Sequence, residues 1–503
     1  MKHTEKRRDV ARKVVRALSS NWFFGVVLGV FVLQALWIAL TAAYSAAFDE
    51  YFHLGIIRLY ADQWSPLLGS QPPGSAIYGA VARDPSYLYQ YLLSFPYRLV
   101  AHVTDSLAAQ VVSLRLVDIA IFGVGLVVWR KVLLLAKLSK PVVHALLLFF
   151  VLIPATSFLA GQLNYDNLFF TFIAVSFYFA IRLVRHIREK RALPPVLTLV
   201  SLSVVLLGSL VKYAFLPIAL TLGVYVLVVI LRTFGWHPRL LWAEVKRLAG
   251  GLRGPAAVAA CLLFLVSFGL FAERYAVNAV RYHTPVPDCD AVLEQDDCRA
   301  YAPFGRNLSY KEIGYKDYLK THDKLTYPDT WARGMMRSLY FSVGPEQLNY
   351  PPGEPLRVAF VTAWLLVGFG LACIVLRLKM LWRKGTAFRL FLIVPIVYIG
   401  ILFAQNLSDY LSLGVPVAMN GRYLLPVLLP LMALAAVAAQ DIFRKVPLGY
   451  KLGVLGVLLV LTLNGGGITP YTIRSWDEWV WQNQTVLTAT RTVRSILWPV
   501  IIR

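Results

Sequence analysis

The sequence predicts an all-α, polytopic membrane protein. Hydrophobic residues make up 58% of its 503 residues and charged residues only 15%, whereas soluble domains are nearer half apolar and a quarter charged. Apolar runs of ~20 residues recur along the chain, and each is long enough to cross ~30 Å of hydrocarbon. Polar and apolar residues do not alternate within these runs. They therefore predict helices, which pair their own backbone groups inside lipid.

Length and hydropathy predict about eleven membrane spans. The transmembrane region covers 22–464, between a basic N-terminal segment at 1–21 and a C-terminal tail at 465–503. The basic start resembles a signal peptide, but the apolar run after it is too long for one, so we expect a retained anchor. The predicted spans lie near 22–44, 110–129, 141–160, 167–184, 195–212, 214–231, 256–274, 356–376, 388–405, 422–440 and 451–464.

The formal net charge of +23 does not indicate nucleic-acid binding, because the basic residues lie in short loops between apolar runs. Lys and Arg in short loops mark the cytoplasmic side of a membrane protein. The basic loops are 130–140, 185–194, 232–255, 377–387 and 441–450. We therefore predict a multi-pass plasma-membrane protein with a cytoplasmic N-terminus and extracytoplasmic segments at 45–109, 275–355 and 465–503.

The acidic residues are distributed unevenly between the two predicted sides. Of the 27 Asp and Glu residues, the predicted cytoplasmic segments contain only Glu5, Asp9, Glu189, Glu244 and Asp441. Solvation of large outer loops would explain many of the others, but not the acids beside span ends. Charge at membrane depth is costly unless it is paired or used, so we predict an active site on the extracytoplasmic face.

The two large outer loops differ in composition. Loop 45–109 is rich in Tyr and Pro and contains Trp64, which suits short helices lying in the membrane interface. Loop 275–355 contains Cys289 and Cys298, and we expect them to form a disulfide because the outer side is oxidising. No Cys and His spacing indicates a structural zinc site.

The first candidate group is Asp49, Glu50 and His53, directly after the first span. On a helix, either acid would share a face with His53. A partly desolvated carboxylate has a raised pKa and makes a better general base. The simpler interpretation is that Asp49 caps a short interfacial helix.

The second and third groups are Asn164-Tyr165-Asp166 and Lys212-Tyr213. Asn164 and Asp166 lie in a short outer turn, where the ordinary role of Asp166 would be to cap the next helix. Lys212 lies between two apolar runs and needs either an anionic partner, such as a lipid phosphate, or a path to the surface for its amine.

The fourth group is Arg422-Tyr423, at the outer start of a span. Arginine can hold a phosphate through two hydrogen bonds, or it can serve as an interfacial anchor. Arg115 and Asp118 lie three residues apart inside the second span. We interpret these two as a structural ion pair, with Arg115 facing a cavity as the alternative.

Together the four groups predict sugar transfer from a lipid-linked donor. Lys212 and Arg422 would stabilise a departing phosphate, Asp49 would take the proton of an acceptor hydroxyl, and Asp166 would orient the acceptor or the sugar. Sugar nucleotides are made in the cytosol, so an outer site implies a lipid-linked donor, and we expect it to be a polyprenyl-phosphate sugar. The residues that we expect to bind substrate or its phosphate are His53, Asn164, Lys212, Tyr213, Arg422 and Tyr423.

The order of these motifs resembles the GT-C superfamily of membrane glycosyltransferases. That superfamily includes the protein O-mannosyltransferases and the aminoarabinose lipid A transferase, and the nearest likeness is to a bacterial family of predicted polytopic GT-C proteins of unknown function. The resemblance covers roughly 45–440 and implies a GT-C-type bundle of about eleven transmembrane helices with two large extracytoplasmic loops. The matching motifs are Asp49-Glu50-x-x-His53, Asn164-x-Asp166, Lys212 with Pro217, and Gly421-Arg422-Tyr423 with Pro426.

The resemblance assigns the catalytic base to Asp49, with Glu50 as the alternative, because the base of that superfamily is an acid of the first outer loop. This chain departs from the pattern at Phe48, where a proline is usual. The resemblance implies an extracytoplasmic acceptor in the cell envelope (a glycan, lipid or protein) and no cofactor. A divalent cation bound by Glu50, His53 and Asp166 is the less favoured alternative.

Two other functions compete with this interpretation. A transporter or flippase of lipid-linked saccharides would also need charges, but it would place polar residues along its spans to line a path. Here they cluster near the outer ends. A polymerase or ligase that uses lipid-diphosphate donors would be a transferase on the same face, and the sequence barely separates it from the favoured function.

Overall fold

The computed structural model describes residues 2–46, 49–236, 238–314, 326–340, 355–475 and 477–501. Helices dominate these residues, and an isolated antiparallel bridge joins Ala42 to Val480. The helices in the first half are α1 (Lys2–Ser19), α2 (Asn21–Thr41), α3 (Glu50–Ala61), α4 (Leu88–Ala101), α5 (Leu107–Leu135), α6 (Lys140–Val151), α7 (Pro154–Ala160), α8 (Asp166–Lys190), α9 (Pro195–Val211), α10 (Leu216–Phe234) and α11 (Pro238–Gly250).

The second half continues in the same way. A π-helical turn at Ala272–Ala276 follows the first of its helices, and a 3-10 turn at Gly421–Leu424 precedes one of the later ones. Its helices are α12 (Pro255–Phe271), α13 (Val277–Tyr282), α14 (Cys289–Val292), α15 (Gln295–Arg299), α16 (Ala302–Ile313), α17 (Tyr327–Tyr340), α18 (Arg357–Leu376), α19 (Leu378–Arg383), α20 (Thr386–Leu413), α21 (Leu425–Ile442), α22 (Leu448–Leu463), α23 (Thr469–Arg474) and α24 (Gln484–Leu497).

The protein is an all-helical, polytopic membrane protein, as the sequence predicts. Among the described residues, eight helices are long and apolar enough to cross a membrane, and the bent pair α6–α7 makes a ninth span if it is counted as one. The apolar helices α9 and α22 are shorter. Each predicted apolar segment coincides with one of these helices or with the bent pair.

Segment 141–160 is not the straight helix that its hydropathy predicts. Its two halves, α6 and α7, meet at an angle of 73°. Pro154 is the first residue of α7. Proline has no N–H to donate and disfavours helical geometry in the residue before it, so a helix readily ends there and a new one starts.

An aromatic stack holds the centre of the bundle together. The Phe122 ring of α5 lies parallel to the Phe170 ring of α8, with centroids 4.2 Å apart. Phe31 of α2 stacks on Phe122 at 5.3 Å, and Phe150 of α6 stacks on Phe170 at 5.5 Å. Offset aromatic pairs of this kind add stability beyond the apolar area that they bury, so the stack fixes four helices relative to one another.

Four helix ends meet at one end of this bundle. They are the start of α3, the start of α8, the end of α9 and the turn before α21, and ion pairs join them. Lys212 has extended backbone angles and interrupts the chain between α9 and the 3-10 turn that leads into α10. Helix ends carry backbone groups without intrahelical partners, so polar side chains gather there.

The segments between the spans also form helices. In loop 45–109 they are α3 and α4, and in loop 275–355 they are α13 to α17, as far as that loop is described. Cys289 and Cys298 form a disulfide with their Cα atoms 5.8 Å apart. Residues 315–325 and 341–354 of the same loop, and Phe48 before the first acids, lie outside the described residues. Which end of the bundle faces the cytoplasm stays a prediction.

Candidate active site at the meeting point of the helix ends

Four charged side chains from distant segments form one network. Lys212 Nζ lies 2.6 Å from Asp166 Oδ1. Arg422 Nε lies 3.4 Å from Asp166 Oδ2, and Arg422 Nη2 donates to Asp49 Oδ2 at 2.9 Å. The order is therefore Lys212, Asp166, Arg422 and Asp49, with cation and carboxylate alternating.

Burial separates the members of this network. The side chains of Lys212, Asp166 and Arg422 are 6%, 4% and 4% exposed, whereas Asp49 is 45% exposed. The two cations therefore neither extend to the surface nor anchor the interface, the simpler interpretations of the sequence. Removing such charges from water costs several kcal/mol per ion, so burial requires the partners that are present here.

Aromatic rings line the cationic part of the network. Lys212 Nζ lies 4.4 Å from the centroid of the Tyr165 ring and 4.6 Å from that of Tyr423. The Arg422 guanidinium lies 5.2 Å from the Tyr423 ring. Ring faces attract cations. Tyr213, next to Lys212 in the chain, is 38% exposed and presents a ring beside the network.

Asp49 has an unusual backbone conformation and does not cap α3. Its φ is 67° and ψ 27°, the left-handed region that aspartate tolerates better than most residues. Its side chain makes no capping hydrogen bond to α3 and reaches Arg422 instead. The interpretation of Asp49 as an interfacial helix cap is therefore wrong.

Glu50 is fully buried and belongs to a separate ion pair. Its Oε1 accepts from Arg115 Nε at 2.7 Å and from the Leu163 N–H at 3.1 Å. Its Oε2 accepts from Arg115 Nη2 at 2.6 Å and from the Ala46 N–H at 2.8 Å. Both oxygens are thus occupied. The carboxylate also links the residues that precede α3 to the turn before α8.

Arg115 does not pair with Asp118, and that prediction is wrong. Besides Glu50, Arg115 Nη1 donates to the carbonyls of Ala39 at 3.0 Å and Ala42 at 2.6 Å, at the end of α2. The last carbonyls of a helix lack intrahelical donors. The long guanidinium can satisfy them and Glu50 together, which a pair with Asp118 would not do.

Asp118 instead holds the turn that carries Asp166. Its Oδ2 accepts from the Tyr89 hydroxyl at 2.6 Å and from the Asn164 N–H at 3.1 Å. Asn164 is fully buried, and its side-chain oxygen accepts from the Asp166 N–H at 2.9 Å. Asp166 is the first residue of α8 and not its N-cap, which is Tyr165, and the Asp166 carboxylate is bound by Lys212 and Arg422.

His53 is buried next to the network, with its ring centroid 4.7 Å from that of Tyr165. Burial lowers the pKa of His53 to about 3, and Arg422 and Lys212 act in the same direction against Asp49 and Asp166. The Gln90 side-chain oxygen accepts from His53 Nδ1 at 3.2 Å. In that orientation the Gln90 side-chain nitrogen donates to the carbonyls of Tyr87 and Ser86. A neutral ring brings no positive charge to a phosphate, so His53 would contact substrate only through hydrogen bonds or packing.

The described residues contain no group of three or more His, Cys, Asp or Glu side chains that could hold a metal ion. Glu50 is already saturated by Arg115 and two backbone N–H groups. Glu50, His53 and Asp166 therefore do not assemble into a cation site in this structure.

One acid near the site was not predicted. Asp84, in loop 45–109, lies two residues before Ser86, whose Oγ accepts from the Tyr213 N–H at 3.1 Å. Its sequence context, Arg83-Asp84-Pro85-Ser86, reads as an ordinary solvated turn. Nothing local distinguishes it from Asp62 or Asp105 in the same loop.

Comparisons with known proteins give one distant likeness. No protein-family model and no curated protein matches the chain. A crystal structure of the Archaeoglobus fulgidus oligosaccharyltransferase, tethered to an acceptor peptide containing the NVT sequon via a disulfide bond, is similar over 90% of this chain, with a TM-score of 0.44 and 12% identity. The match covers 55% of that protein's chain. At this level of similarity, the chain is not assigned to a family.

Proposed function

We propose that this protein is an integral membrane glycosyltransferase. It would move a sugar from a polyprenyl-phosphate donor in the bilayer to an extracytoplasmic acceptor. The observation that carries the proposal is the alternating network of Lys212, Asp166, Arg422 and Asp49 at one end of a membrane bundle. It combines two buried cations, suited to a phosphate, with a half-exposed carboxylate suited to a hydroxyl.

Asp49 is the acid best suited to act as the general base. Glu50 is fully buried with both oxygens occupied, and Asp166 is 4% exposed between two cations. Asp49 is 45% exposed and bonded to Arg422. A base must come within hydrogen-bond reach of the proton that it removes, and of these three acids Asp49 can do so with the least rearrangement.

The cations would act on the leaving phosphate. The two carboxylates and two cations sum to zero formal charge, and a phosphodiester donor adds one negative charge. Arg422 can keep a partner by turning from Asp49 to the phosphate, which releases the Asp49 carboxylate to act as a base. Lys212, held among the Tyr165 and Tyr423 rings, would approach the same phosphate.

The reaction balances with these groups alone. The acceptor oxygen attacks the anomeric carbon while its proton passes to Asp49, and the bond between that carbon and the phosphate oxygen breaks. Polyprenyl phosphate leaves with the electron pair, and its charge grows from −1 to −2. Lys212 and Arg422 would stabilise this growing charge in a site of low dielectric, where fixed charges act most strongly. Attack opposite the leaving group inverts the anomeric configuration.

The test is sugar transfer by the purified protein in detergent. A panel of radiolabelled polyprenyl-phosphate sugars is supplied with membrane extract as acceptor, for the wild type and for Asp49→Asn. We expect turnover by the wild type and a loss of at least ~100-fold in the variant, as for removal of a general base. Asp105→Asn, an exposed acid in the same loop, is the matched control and should retain full activity.

Each of the other outcomes would overturn part of the proposal. Full activity of Asp49→Asn would refute the assignment of the base. Silence of the folded wild type with every monophosphate donor would refute the proposed donor. A lipid-diphosphate polymerase or ligase, or a transporter of lipid-linked saccharides, would then be the better interpretation.

A further inference from the structure

A second acid, Asp84, lies beside the network because hydrogen bonds hold the residues before and after it in the chain. The Ala82 carbonyl accepts from the buried Arg274, and the Arg83 carbonyl accepts from Asn278 Nδ2 at 2.8 Å. Ser86 Oγ accepts from the Tyr213 N–H at 3.1 Å. The segment is therefore attached to the π-helical turn after α12 and to the residue that follows Lys212.

The Asp84 carboxylate has no ion-pair partner among the described residues, whereas the other acids of the site, Asp49, Glu50 and Asp166, each have one. Its Oδ1 accepts from the Ser86 N–H at 2.8 Å. Arg83 and Arg274 pair with Glu273, and Arg274 acts on Asp84 only through its charge. Asp84 is partly buried, and burial raises its pKa. A partly desolvated carboxylate without an ion-pair partner gains from a hydroxyl or N–H that donates to it.

Tyr301 packs against the turn that precedes Asp84. The Asp84 N–H donates to the Ala80 carbonyl at 3.0 Å, next to Gly79 in the chain. Burial raises the pKa of the Tyr301 hydroxyl, and the charges of Asp84 and Asp49 act in the same direction. The ring packs against Gly79, where an added Cβ would come 3.2 Å from it, and lies 5.9 Å from the Phe52 ring. The disulfide between Cys289 and Cys298 closes the loop just before Tyr301 in the chain.

We propose that Asp84, Tyr301 and the exposed ring of Tyr213 form a subsite for the sugar of the donor. This proposal rests on the proposed function and names the residues that select its substrate. Asp84 would accept hydrogen bonds from sugar hydroxyls, and the tyrosine rings would pack against the C–H face of the pyranose or furanose. Lys212 precedes Tyr213, so a phosphate at Lys212 and a sugar over Tyr213 are compatible with one bound molecule.

The test compares donor binding with and without the sugar. The probes are radiolabelled polyprenyl phosphate and the same lipid phosphate bearing glucose, mannose or arabinose, bound to the detergent-purified full chain. We expect the wild type to bind at least one of the glycosylated lipids more tightly than the bare lipid phosphate. In Asp84→Asn we expect the affinity for that lipid to fall about tenfold or more, since hydrogen bonds to a charged group are the strong ones. Binding of the bare lipid phosphate should not change.

Variants at Tyr301 give an independent measurement should Asp84→Asn fail to fold. Tyr301→Leu removes the ring and should weaken binding of the glycosylated lipid alone, whereas Tyr301→Phe should retain most of it. Asp290→Asn, an exposed acid in the disulfide loop, is the matched control. Unchanged preference for the glycosylated lipid in Asp84→Asn and Tyr301→Leu would overturn the subsite and leave the proposed function standing. A wild type that binds no lipid phosphate of the set would overturn both.

Discussion

Asp49 and Glu50 are adjacent in the chain but have different roles, and this difference can be tested by replacing each in turn. Glu50→Gln should destabilise the protein. Each Glu50 oxygen accepts from one Arg115 nitrogen and from one backbone N–H, Leu163 for Oε1 and Ala46 for Oε2. The amide of glutamine carries an NH₂ group in place of one oxygen. In either orientation, that NH₂ group faces one Arg115 N–H and one backbone N–H, and none of the three can accept a hydrogen bond. Arg115 also loses its buried counter-charge.

The size of the effect follows from this geometry. Breaking a buried ion pair by removing one partner costs roughly 3–5 kcal/mol. Asp49 is half exposed, and Arg422 keeps Asp166 as a partner when Asp49 becomes neutral. Water still reaches the Asp49 carboxylate, so its pair with Arg422 contributes less to stability than the fully buried pair of Glu50 and Arg115. Asp49→Asn should therefore lose turnover at nearly unchanged stability.

The assay is SDS-induced unfolding of both purified variants in mild detergent, with turnover measured on the same samples. We expect the midpoint of Glu50→Gln to fall well below that of the wild type, while Asp49→Asn unfolds with it. Adding Arg115→Met to Glu50→Gln should restore only part of the lost stability, because the α2 carbonyls then lose their donors. A stable Glu50→Gln beside a destabilised Asp49→Asn would refute the division of roles.

Three further predictions concern pH, the disulfide and topology. The folded pKa of His53, about 3, lies below its unfolded value of ~6.5. At pH values below ~6.5, the unfolded chain therefore binds a proton on His53 that the folded chain does not bind. The free energy of unfolding then falls by about 1.4 kcal/mol per pH unit as the pH is lowered towards 3. His53→Gln should flatten the fall in melting temperature between pH 6.5 and 5, and an unchanged slope would exclude His53 as its source. Replacing Cys289 and Cys298 with serine should raise KM for the donor with little change in kcat, because the loop that precedes Tyr301 loosens; unchanged kinetics would contradict this. Reporter fusions should read as cytoplasmic at 136 and 188 and as external at 310, and the opposite pattern would invert the assigned faces.

The residue partners in the site follow no pattern in the sequence. Arg422 and Asp49 are 373 positions apart, Arg115 and Glu50 are 65 apart, and Lys212 and Asp166 are 46 apart. The prediction that Arg115 pairs with Asp118 was wrong because it rested only on their spacing of three residues along one helix. The guanidinium instead reaches the open carbonyls at the end of α2.

The sequence by itself determined the fold class and the segments that carry the chemistry. A run of about 20 apolar residues is a local property, and lipid leaves it one solution, a helix. Apart from the basic loops of the predicted cytoplasmic side, charged residues at the ends of such runs are few, so Asp49, Asp166, Lys212 and Arg422 were recognisable one by one.

Only the tertiary structure decided what each charged group does. It separates Asp49 from Glu50, which are neighbours in sequence but differ completely in exposure and partner. It also packs Tyr301 against the turn that leads to Asp84, although the local sequence of Asp84 is that of a common turn. The physical reason is that burial and ion pairing depend on how helix ends approach in space, and that approach is set by packing across the whole bundle.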